Sequence, residues 1–285
     1  MTRKKFLKRL LQLSAVGALP FLYSWQIEPF WVEFVERKLP IKNLPKELEG
    51  KILMQISDLH VGDRFDWNFL IESFQKAKEF NPDFVMYTGD YVNHGTEEDH
   101  KNLEKVMAKA VYGKLGTFGI LGNHDYGKNW KDLGSSEEIH RILQNNGVTV
   151  LKNEQTESHG LNIIGFDDLW SPNFDPMKVM KDYNPEKANL VLCHNPDVCD
   201  KDVWNGYQGW ILSGHTHGGQ CRIPGVITPI LPVENKKYVS GEIDLEDGRM
   251  LYINRALGHS FQVRFMVRPE ITVFKLERDE EVSTK

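Results

Sequence analysis

Ile52-Leu53-Met54-Gln55-Ile56-Ser57-Asp58-Leu59-His60 decides the fold. Six residues of buried-strand type run straight into two side chains that ligate divalent metals. The same pattern recurs along the chain. Phe84-Val85-Met86-Tyr87-Thr88 is followed by Gly89-Asp90, and Thr117-Phe118-Gly119-Ile120-Leu121 by Gly122-Asn123-His124-Asp125. Residues 189–193 lead into His194-Asn195-Pro196, and residues 210–213 into Gly214-His215-Thr216-His217. Helical spacing fills the gaps. Phe69, Leu70, Ser73, Phe74, Ala77 and Phe80 mark one helix, stopped by Asn81-Pro82-Asp83, and Leu103, Val106, Met107 and Ala110 mark another. Residues 135–146 read as a third, with Ser135 and Glu138 as a capping box and Gly147 at the C-terminal end.

Further strands are expected at 148–151, 161–166 and 271–276, with a hairpin of 238–245 and 250–254 about Glu246-Asp247-Gly248. Strand–helix alternation followed by hairpins predicts an α/β sandwich of two mixed β-sheets flanked by helices. Ligands of open α/β sheets gather at the carboxyl ends of strands. This reading puts all five ligand-bearing segments on one sheet edge.

The composition suits a globular enzyme-sized domain. Of 285 residues, 40% are hydrophobic and 26% charged. The net charge of −5, with no basic block beyond the N-terminus, argues against a nucleic-acid partner. Cys193, Cys199 and Cys221 form no disulfide framework, and Cys193 should face the core, opposite His194. The layout is residues 1–25 as a basic, hydrophobic anchor or signal, 26–46 as a linker with a first strand, 47–279 as the catalytic domain and 280–285 as a polar tail. The first strand is placed around Trp31, Val32, Phe34 and Val35, between Pro29 and Pro40. A monomer is expected.

Arg3, Lys4, Lys5, Lys8 and Arg9 crowd the first ten residues, and residues 10–25 are mostly apolar. That is a basic region and a hydrophobic region in signal order. Three readings stand: a retained anchor with the domain outside, a monotopic segment lying in the membrane surface, or a cleaved signal. Thr2-Arg3-Lys4-Lys5-Phe6-Leu7-Lys8 resembles a twin-arginine export signal, with Lys4 where the second arginine stands. Association with a bacterial inner membrane follows, facing either side.

The residue types fit a two-metal phosphoryl-transfer centre. Asp58 and His60 are two apart, as are His215 and His217, so each pair can reach one ion. Asp90 follows a glycine that permits a sharp turn, where a carboxylate can bridge two ions with its two oxygens. Asn123 offers a carbonyl oxygen and His194 another imidazole. Singly, each admits a structural reading: Gly-Asp is common in turns, and a histidine after a strand is often a satisfied core residue. Gly-Asn-His-Asp and Gly-His-Thr-His-Gly-Gly-Gln are specific, and all five in order leave little room for chance.

That ordered set, from about Lys51 to the C-terminus, resembles the calcineurin-like metallophosphoesterases. Ser57-Asp58-Leu59-His60-Val61-Gly62, Gly165-Phe166-Asp167-Asp168, His194-Asn195-Pro196-Asp197 and the 214–220 run are similar to its bacterial YkuE/YaeI-type phosphodiesterase branch, related to UDP-2,3-diacylglucosamine hydrolases. Residues 254–258 and 268–271 are similar too, with Ala256 where the branch often has glycine. The resemblance implies Asp58, His60 and His217 at one divalent ion and Asn123, His194 and His215 at a second, with Asp90 bridging and Mn, Fe or Zn as the metals. It also implies His124 as general acid and Asp125 as the group holding its tautomer. Hydrolysis would proceed by a hydroxide shared between the ions. The substrate would be a phosphodiester, or a lipid-linked pyrophosphate such as UDP-2,3-diacylglucosamine if the domain faces the cytoplasm. A non-catalytic, metal-stabilised binding module is the alternative from another class.

Lesser candidates surround these. His94 could touch substrate or be a solvated loop residue. Asp167 and Asp168 could orient His194 or cap a turn. Trp170, Phe174 and Trp204 could line an apolar groove or pack in the core. His100, His140 and His159 are given no role.

Overall fold

Period-two alternation sorts the side chains of each ligand-bearing strand into two cores. In a computed structural model that describes residues 18–223 and 231–279, twelve strands are found among the described residues. They are β1 (Glu33–Ile41), β2 (Ile52–Ile56), β3 (Phe84–Thr88), β4 (Gly116–Ile120), β5 (Thr149–Val150), β6 (Glu154–Ser158), β7 (Leu161–Gly165), β8 (Ala188–Leu192), β9 (Gly209–Ser213), β10 (Gly241–Asp244), β11 (Arg249–Ile253) and β12 (Glu270–Arg278). Three main helices, α1 (Asn68–Lys78), α2 (Glu97–Met107) and α3 (Leu133–Asn145), accompany the first sheet. The basic residues 3–9 and the tail 280–285 lie outside the described residues. Among those described, no helix is long and apolar enough to cross a membrane.

Two six-stranded mixed sheets form, in the orders β1-β12-β2-β3-β4-β5 and β10-β11-β9-β8-β7-β6. Phe84 and Met86 of β3 join Leu190, Leu192 and Leu212 in the core between the sheets. Val85 and Tyr87 turn the other way, against Phe74, Leu103 and Ile142 of the helices. On the far side of the second sheet, Val191, Cys193 and Ile211 pack with Val198, Trp204 and Tyr207. The chain is thus an α/β sandwich with its sheets face to face.

Several boundaries differ from expectation, each for a local reason. The first strand lies at 33–41 and runs through Pro40, because it is an edge strand and a missing N–H is tolerated there. Its nine residue pairs with β12 make it part of the sheet that holds β2, β3 and β4. Strand β6 is polar throughout and carries no alternation to read. Helix α3 starts three residues early: Asp132, not Ser135, caps it, accepting the Ser135 amide at 3.2 Å. The Ser135 hydroxyl meets His100 instead, and Glu138 pairs with Arg141. At the other end Gly147, in the left-handed region at φ +81°, completes the turn, and the Gly147 and Val148 amides reach the Gln144 and Leu143 carbonyls.

The ligand-bearing ends belong to two sheets rather than to one edge. β2, β3 and β4 deliver Asp58, Asp90 and Asn123, while β8 and β9 deliver His194 and His215. Buried Gln55 links the two sets beneath the site, donating to Thr88 Oγ1 at 3.1 Å and to the Ser213 carbonyl of the other sheet at 2.9 Å.

A loop before β12 then closes over the Asp58 turn. Leu257 and Gly258 donate their amides to the Ser57 and Asp58 carbonyls at 2.9 and 2.8 Å. Fully buried Arg264 holds this loop, donating to the carbonyls of Arg255, Ala256, Gly258 and Val267. Ala256 has φ +68°, a left-handed conformation in which glycine is the unstrained residue. A Cβ on Gly258 would lie 2.0 Å from the Leu59 carbonyl oxygen, a contact between two backbones that cannot yield. Gly258→Ala should therefore destabilise the protein by about 1–3 kcal/mol. The expected reading is a lower urea midpoint at an unchanged slope; an unchanged midpoint would show the loop free to lift.

Candidate metal centre

The turns that carry the ligands are tight. Pairing between β2 and β3 continues past the strands, with the Asp58 and His60 amides donating to the Gly89 and Asp90 carbonyls at 2.9 and 3.0 Å. Gly89 sits at φ +91°, and a Cβ there would be 2.7 Å from both Gly122 N and His194 Nδ1. Asp58, His60, Asp90, His215 and His217 all have left-handed backbones, with φ between 48° and 71°. Non-glycine residues rarely adopt this conformation, and it concentrates at functional sites.

These turns bring the candidate ligands together. Asp58, His60 and His217 each offer a ligand atom, all within 4.8 Å of one another, as do Asp90, His194 and His215. His60 Nε2 and His217 Nε2 face each other at 2.9 Å, and Asp58 Oδ1 is 3.2 Å from the latter. Asp90 Oδ2 lies between the groups, 3.6 Å from His60 Nε2 and 3.3 Å from His194 Nε2. Donors each about 2.1 Å from one ion, at tetrahedral to octahedral angles, stand about 3.0–3.5 Å apart, so the spacing fits shared cations. Among the buried side-chain atoms without a hydrogen-bond partner are Asn123 Oδ1 and His194 Nε2, both turned to this centre. Buried polar atoms are rarely left so, and a cation would satisfy both. One oxygen of Asp90 faces both groups, rather than one oxygen each; Oδ1 accepts the His124 amide at 2.9 Å.

Acceptor oxygens fix the ring tautomers. His194 Nδ1–H donates to the Thr88 carbonyl at 2.7 Å, His217 Nδ1–H to Gln220 Oε1 at 3.0 Å and His215 Nε2–H to the Pro232 carbonyl at 2.9 Å. In the neutral ring the other nitrogen then carries the lone pair that a metal ligand needs. Gln220 is oriented in turn by donating to the Phe261 and Val263 carbonyls.

His124 corrects one expectation. Its Nδ1–H donates to the Asn93 carbonyl at 2.6 Å, not to Asp125. Asp125 is buried and spends its oxygens on the amides of Asp90, Tyr91, Val92 and Gly122. It shapes the two ligand-bearing turns and does not touch the His124 ring. Asp168 likewise does not hold His194; it accepts the Trp170 amide, while Asp167 accepts from Tyr126 and the Asp168 amide.

Burial and neighbours set the charges. Burial pushes the Asp58 carboxyl up, but facing His217 and nearby His194 outweigh it and bring it to about 2. Asp90 is held well below the usual carboxylate range, since His194, His124 and His60 overcome its burial. His60 is pushed well below its ordinary value by burial and by His217, and His215 down to about 3 by burial and His194. His194 resists burial and stays well above its ordinary value, facing the carboxylates of Asp90, Asp58 and Asp168. Asp58, Asp90, His60 and His215 are thus in the state a divalent cation requires, and His194 would give up a proton to bind one.

A cavity of about 200 Å³ opens beside the centre, touching Asp90, Asn123, His124, His215 and His217. Its walls are apolar: Trp130, Trp170, Pro232 and Phe261. Trp130 and Trp170 stack at 4.6 Å, and Trp170 meets His215 edge-on at 4.8 Å. Of the aromatics singled out in the sequence, only Trp170 lines this cavity. Trp204 is buried and donates to the Val198 carbonyl, and Phe174 packs against the same core. His94 does not line the cavity and meets Arg64 near the surface. Sequence reading missed Trp130, Phe261 and the Asn93 carbonyl, which carry no local signal. Gln220 stood inside the quoted 214–220 run without a role. Gln220→Ala should weaken metal binding about 10–100-fold by freeing the His217 ring, measured by competition against a chelator. Equal affinity would show that His217 needs no such support.

Comparison with known proteins gives the centre its context. The calcineurin-like phosphoesterase family matches residues 52–219. The uncharacterized metallophosphoesterase YkuE of Bacillus subtilis is 31% identical over 97% of this chain and 98% of its own. Phosphodiesterase YaeI of Escherichia coli is 30% identical over 97% and 99%. The UDP-2,3-diacylglucosamine pyrophosphatase LpxG of Chlamydia trachomatis is 30% identical over 93% and 95%. With a family match across the ligand-bearing core and relatives aligned end to end, the chain belongs to the calcineurin-like phosphoesterases and is a metal-dependent hydrolase of phosphate esters.

Proposed function

We propose that the protein cleaves a phosphodiester or pyrophosphate bond in a lipid-bearing substrate at a bacterial membrane, using two divalent ions. The observation that carries this reading is the juxtaposition of the polar ligand floor with the apolar walls of Trp130, Trp170 and Phe261 in one cavity. A phosphate bound on that floor has its substituent against aromatic rings, which suits an acyl chain or another apolar group. The relatives support the choice: one is named as a phosphodiesterase, and another as a pyrophosphatase of a diacylated sugar nucleotide.

Asp58, His60 and His217 would hold one ion and Asn123, His194 and His215 the other, with Asp90 between. The donor set, imidazole and oxygen without thiolate, suits Mn, Fe or Zn. Such a pair lowers the pKa of water towards neutrality and offsets the charge of the phosphate. The chain's own contribution is positioning and one proton. His124 borders the cavity with Nδ1–H pinned on Asn93, so its Nε2 is the atom that can serve the substrate. Entering as imidazolium, it donates the Nε2 proton to the departing oxygen and keeps the Nδ1–H bond throughout. The ring of His60 packs edge-on at 4.8 Å and limits its rotation.

Turnover of bis-p-nitrophenyl phosphate with added Mn²⁺, Fe²⁺ or Zn²⁺ tests the reaction, and UDP-2,3-diacylglucosamine followed by a lipid extract tests the substrate. No turnover with any of the three metals would sink the proposal. His124→Ala should keep its metal and lose about 10²–10⁴-fold in kcat. Asp90→Ala should lose both ions, read as metal content by mass spectrometry; retention of one full equivalent would contradict the shared role of Asp90. Trp130→Ala should raise KM for the lipid-bearing substrate more than for the nitrophenyl ester.

A further inference from the structure

An exposed apolar segment is tied to the loop that supplies one wall of the cavity. Leu19, Phe21, Leu22 and Trp25 are 67%, 60%, 47% and 42% exposed, and the rings of Phe21 and Trp25 pair at 5.8 Å. This segment is not a loose end. Gln262 donates to the Trp25 carbonyl at 3.0 Å, the Arg264 amide to the Ser24 carbonyl at 2.8 Å and the Val267 amide to buried Glu28. It therefore lies along residues 262–267, directly beside Phe261. Phe261 is itself 42% exposed and lines the cavity together with Ser260. Large apolar side chains left in water side by side mark an interaction surface.

The charge distribution says what covers it. Residues 1–27 carry five cations and no carboxylate; the first acidic residue is Glu28. Taking those five from 35 leaves 30 cations against all 40 carboxylates in the rest of the chain. An anionic surface repels the body of the protein and attracts only the end that bears the apolar residues. Aromatic and aliphatic side chains continuous with a basic segment are the chemistry of a bilayer interface rich in anionic lipid. We propose that Leu19, Phe21, Leu22 and Trp25 dock with Phe261 on an anionic lipid bilayer, so that the cavity opens against the membrane surface. The proposal rests on the lipid-bearing substrate read above and adds the face by which the protein approaches it.

Sedimentation of the full chain with vesicles tests this. Vesicles of phosphatidylcholine with phosphatidylglycerol should carry the protein down, and phosphatidylcholine alone should carry far less. Trp25→Glu and Phe261→Glu should each reduce partitioning on the order of 10–100-fold. Trp25→Glu, at a residue that neither lines the cavity nor belongs to the ligand set, should hydrolyse bis-p-nitrophenyl phosphate at the wild-type rate, which also reports that it folds. Partitioning unaltered in both variants would overturn the docking face and leave binding to the basic residues alone. So would a solution dimer that Trp25→Glu dissolves in the absence of vesicle binding, which would assign the face to a second copy. Vesicle binding that is retained by a chain inactive on the nitrophenyl ester would sink the phosphohydrolase reading while supporting the docking face.

Discussion

The Asp58 carboxylate accepts the His215 amide at 3.1 and 3.2 Å, and this bond joins two sheets. Asp58 leaves the end of β2 and His215 leaves the end of β9, so their turns must meet to within a few tenths of an ångström. Gln55 makes a second cross-sheet bond one layer below, and the Leu257 and Gly258 amides clamp the same turn from above. Because the clamp is made from three directions, five ligand residues can stay in left-handed backbone conformations that cost on the order of 1–3 kcal/mol each. Their side chains converge only because the backbone turns so sharply at each strand end. Stability elsewhere, chiefly the two sheets and their shared core, offsets that strain.

The same geometry ties the metal to the fold's electrostatics. Asp58 and Asp90 are buried and ionised, and of the facing ligand rings His60 and His215 are held neutral. Buried negative charge in excess is unfavourable unless a cation or hydrogen bonds compensate it. Here hydrogen bonds do part of the work: Ser57 and the His215 amide serve Asp58, and the His124 amide serves Asp90. His194, kept protonated by the surrounding carboxylates, does another part. Asn123 Oδ1 and His194 Nε2 would hold a divalent cation in place of that proton. Ligand binding and folding stability are therefore coupled through the same few atoms.

Much of this was legible in the sequence because rare residue types recurred at one structural position. Five apolar runs ending in Asp, Asn or His announce strands and a metal floor together, and period-two burial within 84–87 and 190–193 follows from the same runs. Sheet membership was not legible, because a strand's sequence does not say which neighbour it pairs with. Nor was the task of Asp125. A Gly-Asn-His-Asp run places the carboxylate beside the histidine in sequence, yet a short helical turn sends it inward to four amides. Strand β1 was placed too early and stopped at Pro40, and β6 escaped, because edge strands tolerate proline and polar residues that would break a central one. Trp130 and Phe261 came to line one cavity only through tertiary structure.

Recognition in the cavity is divided between two sets of residues of different origin. The floor comes from strand ends, fixed by ladder hydrogen bonds and by each other. The walls come from elsewhere: Trp130 precedes α3, Trp170 follows β7 and Phe261 belongs to the loop before β12. None of these three supplies a ligand, and of their side chains Trp170 packs against one, the ring of His215. Substituting Trp130 or Phe261 changes what fits against the phosphate while leaving the ligand side chains in place. The sets meet at His215, which Trp170 packs against and the Pro232 carbonyl holds, and at Gln220, which orients His217 through Oε1 while its amide donates to the carbonyl of Phe261. A shift of the Phe261 loop would be felt first at the His217 ring, and the occupant of the wall and the chemistry of the floor communicate through that amide.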